Sequence, residues 1–316
     1  MELVEIAPDI YACLQPDEGL GTSNSGFVRA GGGLVVDTFW DLPRTRALRA
    51  HYASIAPNPP RRLVNTHHNG DHCWGNQLFA ADGTEIIGHR RCIEYFEREA
   101  SPELFRALCA TDDDDLGDLA GFVAALRRFD FSGITLTPPT TAVDGDTTLD
   151  LDGLTVELLS VGPAHTAGDL VVHVPEHGVI FTGDILFHRC TPIGWEGSFG
   201  AWIAALERLE ALAPAVVVPG HGPLTDVEGL RELRGYLAYV REEAARLHAR
   251  GFSALEAAKR IELGPYAGWT EPERLAFQVD RAYRELEGVP WDTPVDVMRV
   301  FAEVAALRRF YAGEGS

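Results

Sequence analysis

The stretch Leu63-Val64-Asn65-Thr66-His67-His68-Asn69-Gly70-Asp71-His72 decides how this chain is read. An apolar pair runs directly into three histidines and a carboxylate, so a buried strand ends in a short loop rich in ligating groups. Zinc, iron and manganese accept imidazole and carboxylate as ligands. Loops at strand ends are also where a rigid scaffold carries its chemistry.

Three later strand ends repeat the pattern. Leu158-Leu159-Ser160 leads into Gly162-Pro163-Ala164-His165-Thr166, Val179-Ile180-Phe181 into Thr182-Gly183-Asp184, and Val216-Val217-Val218 into Pro219-Gly220-His221-Gly222. Each loop holds one potential ligand among turn-forming residues, and glycine there lets backbone and bound groups approach closely. One His or Asp beside glycine is ordinarily structural. Four such loops in one chain point to a shared metal site.

Composition narrows the class. The chain has 316 residues, 46% hydrophobic and 23% charged, which is ordinary for a globular protein large enough to bury a substantial core. Acidic residues number 47 against 27 basic ones, a net charge of −20. Phosphate backbones and anionic membranes repel such a surface, so neither nucleic acid nor membrane is an expected partner. Lys259 is the sole lysine and there is no basic run. The five cysteines (Cys13, Cys73, Cys92, Cys109, Cys190) are scattered and never form a Cys-x-x-Cys pair. That spacing argues against a disulfide framework and against a thiolate metal site. The N-terminus lacks a signal-peptide pattern and no apolar run reaches the ~20 residues of a membrane span, so a cytoplasmic location is expected.

Along the chain, residues 1–40 read as paired strands, 43–56 as a helix and 62–65 as the strand before the histidine loop. Residues 86–89 form another strand, and helical patterning dominates 91–128. The acidic run 112–115 within it reads as a solvated loop. Strands are expected at 141–149, 154–160, 170–174, 179–182 and 215–218, with a helix at 199–212. From 226 the pattern is helical, in segments 226–250, 253–260, 270–287 and 293–311. Strands with interspersed helices and then a run of helices indicate an α/β core with a helical C-terminal extension.

With these loops in place, the chain resembles the metallo-β-lactamase superfamily over roughly residues 5–225. His67-His68-Asn69-Gly70-Asp71-His72 aligns with the family's His-x-His-x-Asp-His motif, and the later family ligands fall on His165, Asp184 and His221. The resemblance implies a four-layer αββα sandwich, with a catalytic domain at 1–225 and a helical extension at 226–316 packing near the active site. It also implies a dinuclear centre, for which zinc is the first expectation, with manganese or iron as alternatives. His67, Asn69 and His165 would form one site and Asp71, His72 and His221 the other, with Asp184 bridging. Two cations roughly 3.5–4 Å apart would activate a shared water and polarise a substrate oxygen. Asp71 would take the proton released in the attack.

Asn69 departs from the motif. An amide oxygen is a weaker zinc ligand than an imidazole nitrogen. Three readings stay open: a mononuclear enzyme relying on Asp71, His72 and His221; a site suited to a harder ion; or His68 swinging in as a substitute, against the alternation of the loop. An occupied but weakened first site is the preferred expectation.

Around this core, Cys73 reads as a buried thiol. Asp37, at the end of Leu34-Val35-Val36, is a candidate to orient a ligand histidine or simply to cap. His188, Trp195 and Tyr266 are candidate substrate contacts. Trp269 and Tyr283 are weighed alongside them, although ordinary aromatic packing between helices is the simpler reading. His51, His89, His173, His177 and His248 have no motif context.

The expected function is hydrolysis of a small ester, thioester or lactone by metal-activated hydroxide, with a small molecule as the only expected partner. A polyketide-type cyclase or thioesterase is the first alternative, and a di-iron oxidoreductase on the same fold is the alternative of another class. Sequence alone fixes neither substrate nor oligomeric state.

Overall fold

The computed structural model describes residues 1–16, 18–98 and 101–314, so positions 99 and 100 of the expected helical stretch lie outside it. Twelve strands among these residues form two sheets. The first holds β1 (Glu2–Ala7), β2 (Ile10–Leu14), β3 (Ser25–Val28), β4 (Leu34–Val36), β5 (Arg62–Val64), β6 (Glu85–His89) and β7 (Thr141–Val143), in sequence order. The second holds β8 (Thr147–Leu151), β9 (Leu154–Ser160), β10 (Leu170–Val174), β11 (Val179–Phe181) and β12 (Val216–Val218), ordered β12-β11-β10-β9-β8.

Pairing changes from antiparallel to parallel within each sheet. β1 to β4 form antiparallel neighbours, whereas β4-β5, β5-β6 and β6-β7 are parallel. β11 and β12 are likewise parallel. Parallel neighbours need a long crossover, and helices supply it: Leu42–Ile55 between β4 and β5, and Phe199–Ala211 between β11 and β12. Each crossover returns the chain to the same edge, so the loops after β4, β5, β11 and β12 open together. Ligands in open α/β sheets bind outside those carboxyl ends.

The layers follow from which face each residue buries. Val28, Leu34, Val36 and Val64 of the first sheet pack against Val156, Leu158, Val172 and Phe181 of the second to form the central core. The outer face of the first sheet, with Val35 and Leu63, is covered by Leu48 and Tyr52 of helix Leu42–Ile55. The outer face of the second, with Val171, Ile180 and Val217, carries helix Phe199–Ala211. Helices Val227–His248, Ala254–Ala258, Leu275–Leu286 and Val297–Tyr311 join that same cluster. The result is the four-layer αββα sandwich.

Two expectations need correction. Residues 141–149 read as one strand, but Asp144-Gly145-Asp146 breaks it into β7 and β8, which lie in different sheets. The two acids stabilise the crossing, because Asp144 pairs with Arg90 and Asp146 accepts from Ser160 N at 3.0 Å. The helical stretch 91–128 resolves into short pieces, Arg90–Tyr95, Pro102–Cys109, Asp113–Leu116 and Ala120–Leu126. They enclose an aromatic cluster of Trp40, Trp74, Phe96, Phe105, Phe129 and Phe131. Asp112 to Asp115 are exposed, three of them in a single helical turn. No helix among the described residues is long and apolar enough to cross a membrane.

Candidate metal centre

The loop after β5 turns at once into a one-turn helix, Gly70–Cys73, that carries Asp71 and His72. Glycine is required at 70, because a Cβ there would lie 2.5 Å from the Trp74 ring and 2.7 Å from Trp40 Nε1. The Cys73 thiol is buried and donates to the carbonyls of His68 and Asn69, which closes the turn. Asp184 sits in a 3-10 turn after β11, and Trp202 Nε1 anchors that turn by donating to Ile185 O at 2.9 Å. Gly220 N bonds Gly183 O at 2.9 Å, so the loops bearing Asp184 and His221 are tied together. A Cβ on Gly220 would lie 2.0 Å from Asp184 Oδ1, so the close approach excludes any side chain there.

The other six side chains singled out from sequence gather around Asp184. Its Oδ1 lies 3.0 Å from His72 Nε2 and 3.4 Å from His221 Nε2. Its Oδ2 lies 3.4 Å from His165 Nε2 and 3.8 Å from His67 Nε2. Asp71 Oδ2 stands 3.3 Å from His221 Nε2 and 3.8 Å from His72 Nε2. Asn69 Oδ1 is 2.9 Å from His165 Nε2. One carboxylate thus faces two sets of donors, His67/Asn69/His165 and Asp71/His72/His221.

A metal fits these residues. His67 Nε2 is buried yet makes no hydrogen bond, a costly state unless a cation takes up its lone pair. The groups His67/His72/Asp184 and Asp71/His72/His221 each bring their ligand atoms close enough to hold one ion. Electrostatics agree with the geometry. Burial pushes His67 well below its usual pKa and His165 down to about 4, so both present neutral, ligating rings. Burial also acts on His72 and His221, but the Asp184 and Asp71 carboxylates outweigh it and raise both, His221 to about 9. For Asp184, burial opposes ionisation, and the facing His221 and His72 more than compensate, holding it well below the carboxylate range. Two buried carboxylates demand positive charge; ring protons or a divalent cation both answer that demand.

Behind these candidate ligands is a layer that sequence only partly marked. Asp37 takes the orienting role: Oδ2 faces His72 Nδ1 at 2.9 Å and accepts from Thr66 Oγ1, while Oδ1 accepts from Thr66 N. A carboxylate only accepts, so His72 Nδ1 carries a proton and Nε2 is the nitrogen turned toward the cluster, free to ligate once a cation displaces its own proton. Asp169 holds the His165 loop by accepting from Ala164 N, Thr166 N and Thr166 Oγ1. Arg281, on helix Leu275–Leu286, donates to Ala164 O at 2.5 Å. Asn24 bonds the carbonyls of Pro219 and Gly222 on either side of His221. Asp169 follows the Thr166-Ala167-Gly168 turn closely enough to be suspected from sequence; nothing local marks Asn24 or Arg281.

His68 points away from the metal cluster, with Nε2 3.7 Å from Glu196 Oε1 and its ring near Tyr95. The reading in which it replaces Asn69 therefore fails in this geometry, as the loop's alternation indicated.

The centre opens into a cavity of about 370 Å³ floored by Asn69, Asp71, Asp184 and His221. Trp195 lines it, as do Trp40, Phe105, Phe187, Ile193 and Phe301, together with Arg98 and Arg274. His188 and Tyr266 do not, contrary to expectation. His188 Nδ1 faces Pro223 O at 2.9 Å, and its other nitrogen is 3.8 Å from Glu232. Tyr266 packs among Tyr236, Tyr239 and Trp269 between helices. Trp269 and Tyr283 are also packing residues of the helical layer. Both misassignments came from nearness in sequence to a ligand or to the extension, which does not fix where a side chain points.

Comparisons with known proteins place this architecture. A linear primary-alkylsulfatase from Pseudomonas sp. is 23% identical over 264 residues, 75% of this chain and 49% of that protein, so the chain spans about half its length. A hydroxyacylglutathione hydrolase from Rhodospirillum rubrum is 27% identical over 242 residues, covering 74% of this chain and 75% of the relative. Among solved structures, the inverting sec-alkylsulfatase Pisa1 from Pseudomonas sp. aligns with a TM-score of 0.66 at 17% identity, covering 93% of this chain and 51% of that one. Residues 19–221, which include all four ligand-bearing loops, match the family profile itself, and the chain therefore belongs to the metallo-β-lactamase superfamily.

Proposed function

We propose that this protein is a metal-dependent hydrolase of a small organic ester, thioester or lactone. The observation that carries the reading is the cluster around Asp184, whose two oxygens face separate donor sets at the floor of a cavity walled mainly by apolar side chains. Two divalent cations, zinc foremost, would lower the pKa of a shared water and polarise the scissile carbonyl when bound. The chain's own residues supply the rest. His67, Asn69 and His165 would hold one ion and Asp71, His72 and His221 the other, with Asp184 between them. Asp71 is exposed to the cavity and is placed to receive a proton at Oδ2. Its carboxyl is pushed up by burial but held below its usual value overall by His72 and His221, so it stands ionised. Trp40, Phe187 and Trp195 would exclude bulk water and bind the organic part of the substrate. Residues 226–316 act as an extension that selects substrate, since Arg274, Val295 and Phe301 line the same cavity.

A second reading, hydrolysis of a sulfate ester, has its own support. Arg98 and Arg274, the latter paired with Glu271, stand in a mainly apolar wall that also holds Asp296, and two of the similar proteins are named alkylsulfatases. Guanidinium forks match tetrahedral oxyanions.

Elemental analysis followed by kcat/KM on aryl esters, acyl thioesters, lactones and alkyl sulfates separates these readings. Turnover of a carbonyl ester with bound zinc or manganese is expected. Two irons with redox activity and no hydrolysis would sink the proposal. An Asp184→Ala variant should lose metal and all activity; full activity in it refutes the assigned centre.

A further inference from the structure

We propose that the stacked rings of Phe122 and Phe301 close the far end of the metal cavity and set the length of a straight apolar chain carried by the substrate. An aromatic wall leads there from the metal loop. Trp40 abuts Gly70, next to Asp71; Phe105 follows at 5.6 Å from Trp40, and Phe122 at 6.2 Å from Phe105. Phe301 then lies on Phe122 with ring centroids 4.0 Å apart and planes at 30°. That succession is longer than any single ring and suits a run of methylenes. The candidate metal ligands sit at its beginning and the paired Phe122 and Phe301 rings at its end.

The stack is also a partition. Beyond it lies a second, smaller cavity of about 40 Å³ that shares Phe122, Phe301, Leu20, Ile193 and Arg274 with the first. Its own walls combine Ala125, Phe277 and Val304 with the charged Asp118, Glu271 and Arg308. Two hydrophobic clusters meet here: Phe122 belongs with the aromatic cluster of the 90–131 segment, and Phe301 with the C-terminal helices. An Arg309–Asp118 ion pair at 2.7 Å closes the seam outside. Truncating either ring joins the two cavities without touching a metal ligand.

The inference rests on the hydrolase reading only for which head group is cleaved; chain length is tested by binding alone. Zinc-loaded wild type, Phe301→Ala and Phe310→Ala are titrated calorimetrically with saturated straight-chain carboxylates of increasing length. Phe310 is exposed on the same helix and serves as the control. Affinity in the wild type should rise about fourfold per methylene and then level off where the chain meets the stack. In Phe301→Ala the plateau should move to longer chains, and the longest should bind at least about tenfold tighter, a gain of two methylenes or so. Phe310→Ala should follow the wild type. Phe122→Ala repeats the test from the other ring, and circular dichroism checks folding of each variant. An unmoved plateau in a folded variant, or rigid aryl carboxylates outbinding every chain, overturns the proposal. Failure of the hydrolysis panel with a plateau that shifts would sink the hydrolase reading alone.

Discussion

Replacing Asp37 with Asn tests whether the centre depends on charge behind it or merely on shape. The carboxylate is 2% exposed and receives three donors: Thr66 N at 2.7 Å, Thr66 Oγ1 at 2.7 Å and His72 Nδ1 at 2.9 Å. Its backbone sits at φ 62, a region Asn tolerates, so the substitution preserves both volume and backbone. An amide has one oxygen. Placed at Oδ2, it keeps His72 and the Thr66 hydroxyl, but its NH2 then faces Thr66 N, donor against donor. That mismatch costs about 1–3 kcal/mol of folding stability. Removing the negative charge behind His72 also makes Nε2 a poorer ligand. Loss of such an outer partner weakens metal binding ~10–100-fold, or about 1.4–2.7 kcal/mol. Denaturant unfolding in EDTA reads the first effect, and chelator competition on the folded protein reads the second. Metal affinity within twofold of wild type, whatever happens to stability, would show that Asp37 only braces the Thr66 turn.

Two other substitutions probe the ligand loops. Asn69→His restores an imidazole opposite His165, whose Nε2 now faces the amide oxygen at 2.9 Å. First-site metal affinity should rise by at least ~10-fold, since nitrogen replaces a weak oxygen donor; unchanged stoichiometry and affinity in equilibrium dialysis would refute the assignment of Asn69 to that site. Asp169 is buried, and burial pushes its carboxyl up to about 6 from 3.8. The folded state therefore keeps a proton that the unfolded chain has lost between those values. The associated stability is fully present below pH 3.8 and is lost as pH rises through 6. A gap of about two pH units amounts to roughly 3 kcal/mol. Asp169→Asn should accordingly gain about that much relative to wild type between pH 4 and pH 7, measured by denaturant unfolding in EDTA. A difference independent of pH contradicts the reasoning.

Much of the candidate centre was legible because ligand-type side chains at strand ends obey local rules. His67, Asp71, His72, His165, Asp184 and His221 each follow an apolar run and sit among turn residues, so chemistry and position are written side by side. The parallel strands then bring their carboxyl ends to one edge, which makes distant loops neighbours. Asp37 was half legible for the same reason, as the last residue of an apolar strand. His188 and Tyr266 were misplaced because sequence nearness says nothing of side-chain direction once a segment leaves regular structure. The break at Asp144-Gly145-Asp146 was missed because an alternating pattern looks the same whether its two halves lie in one sheet or in two.

The sequence by itself marked an α/β core, four strand-end loops of ligand-type residues and the departure at Asn69, because strand periodicity and ligand chemistry are properties of short segments; the four-layer sandwich came with the family resemblance those loops carry. Only the tertiary structure decided that Asp184 divides its oxygens between two donor sets, that His68 turns toward Glu196, and that Phe122 and Phe301 meet across the cavity. Those contacts join residues far apart in the chain. Their partners are chosen by the burial of whole sheets and helices, which no local pattern records.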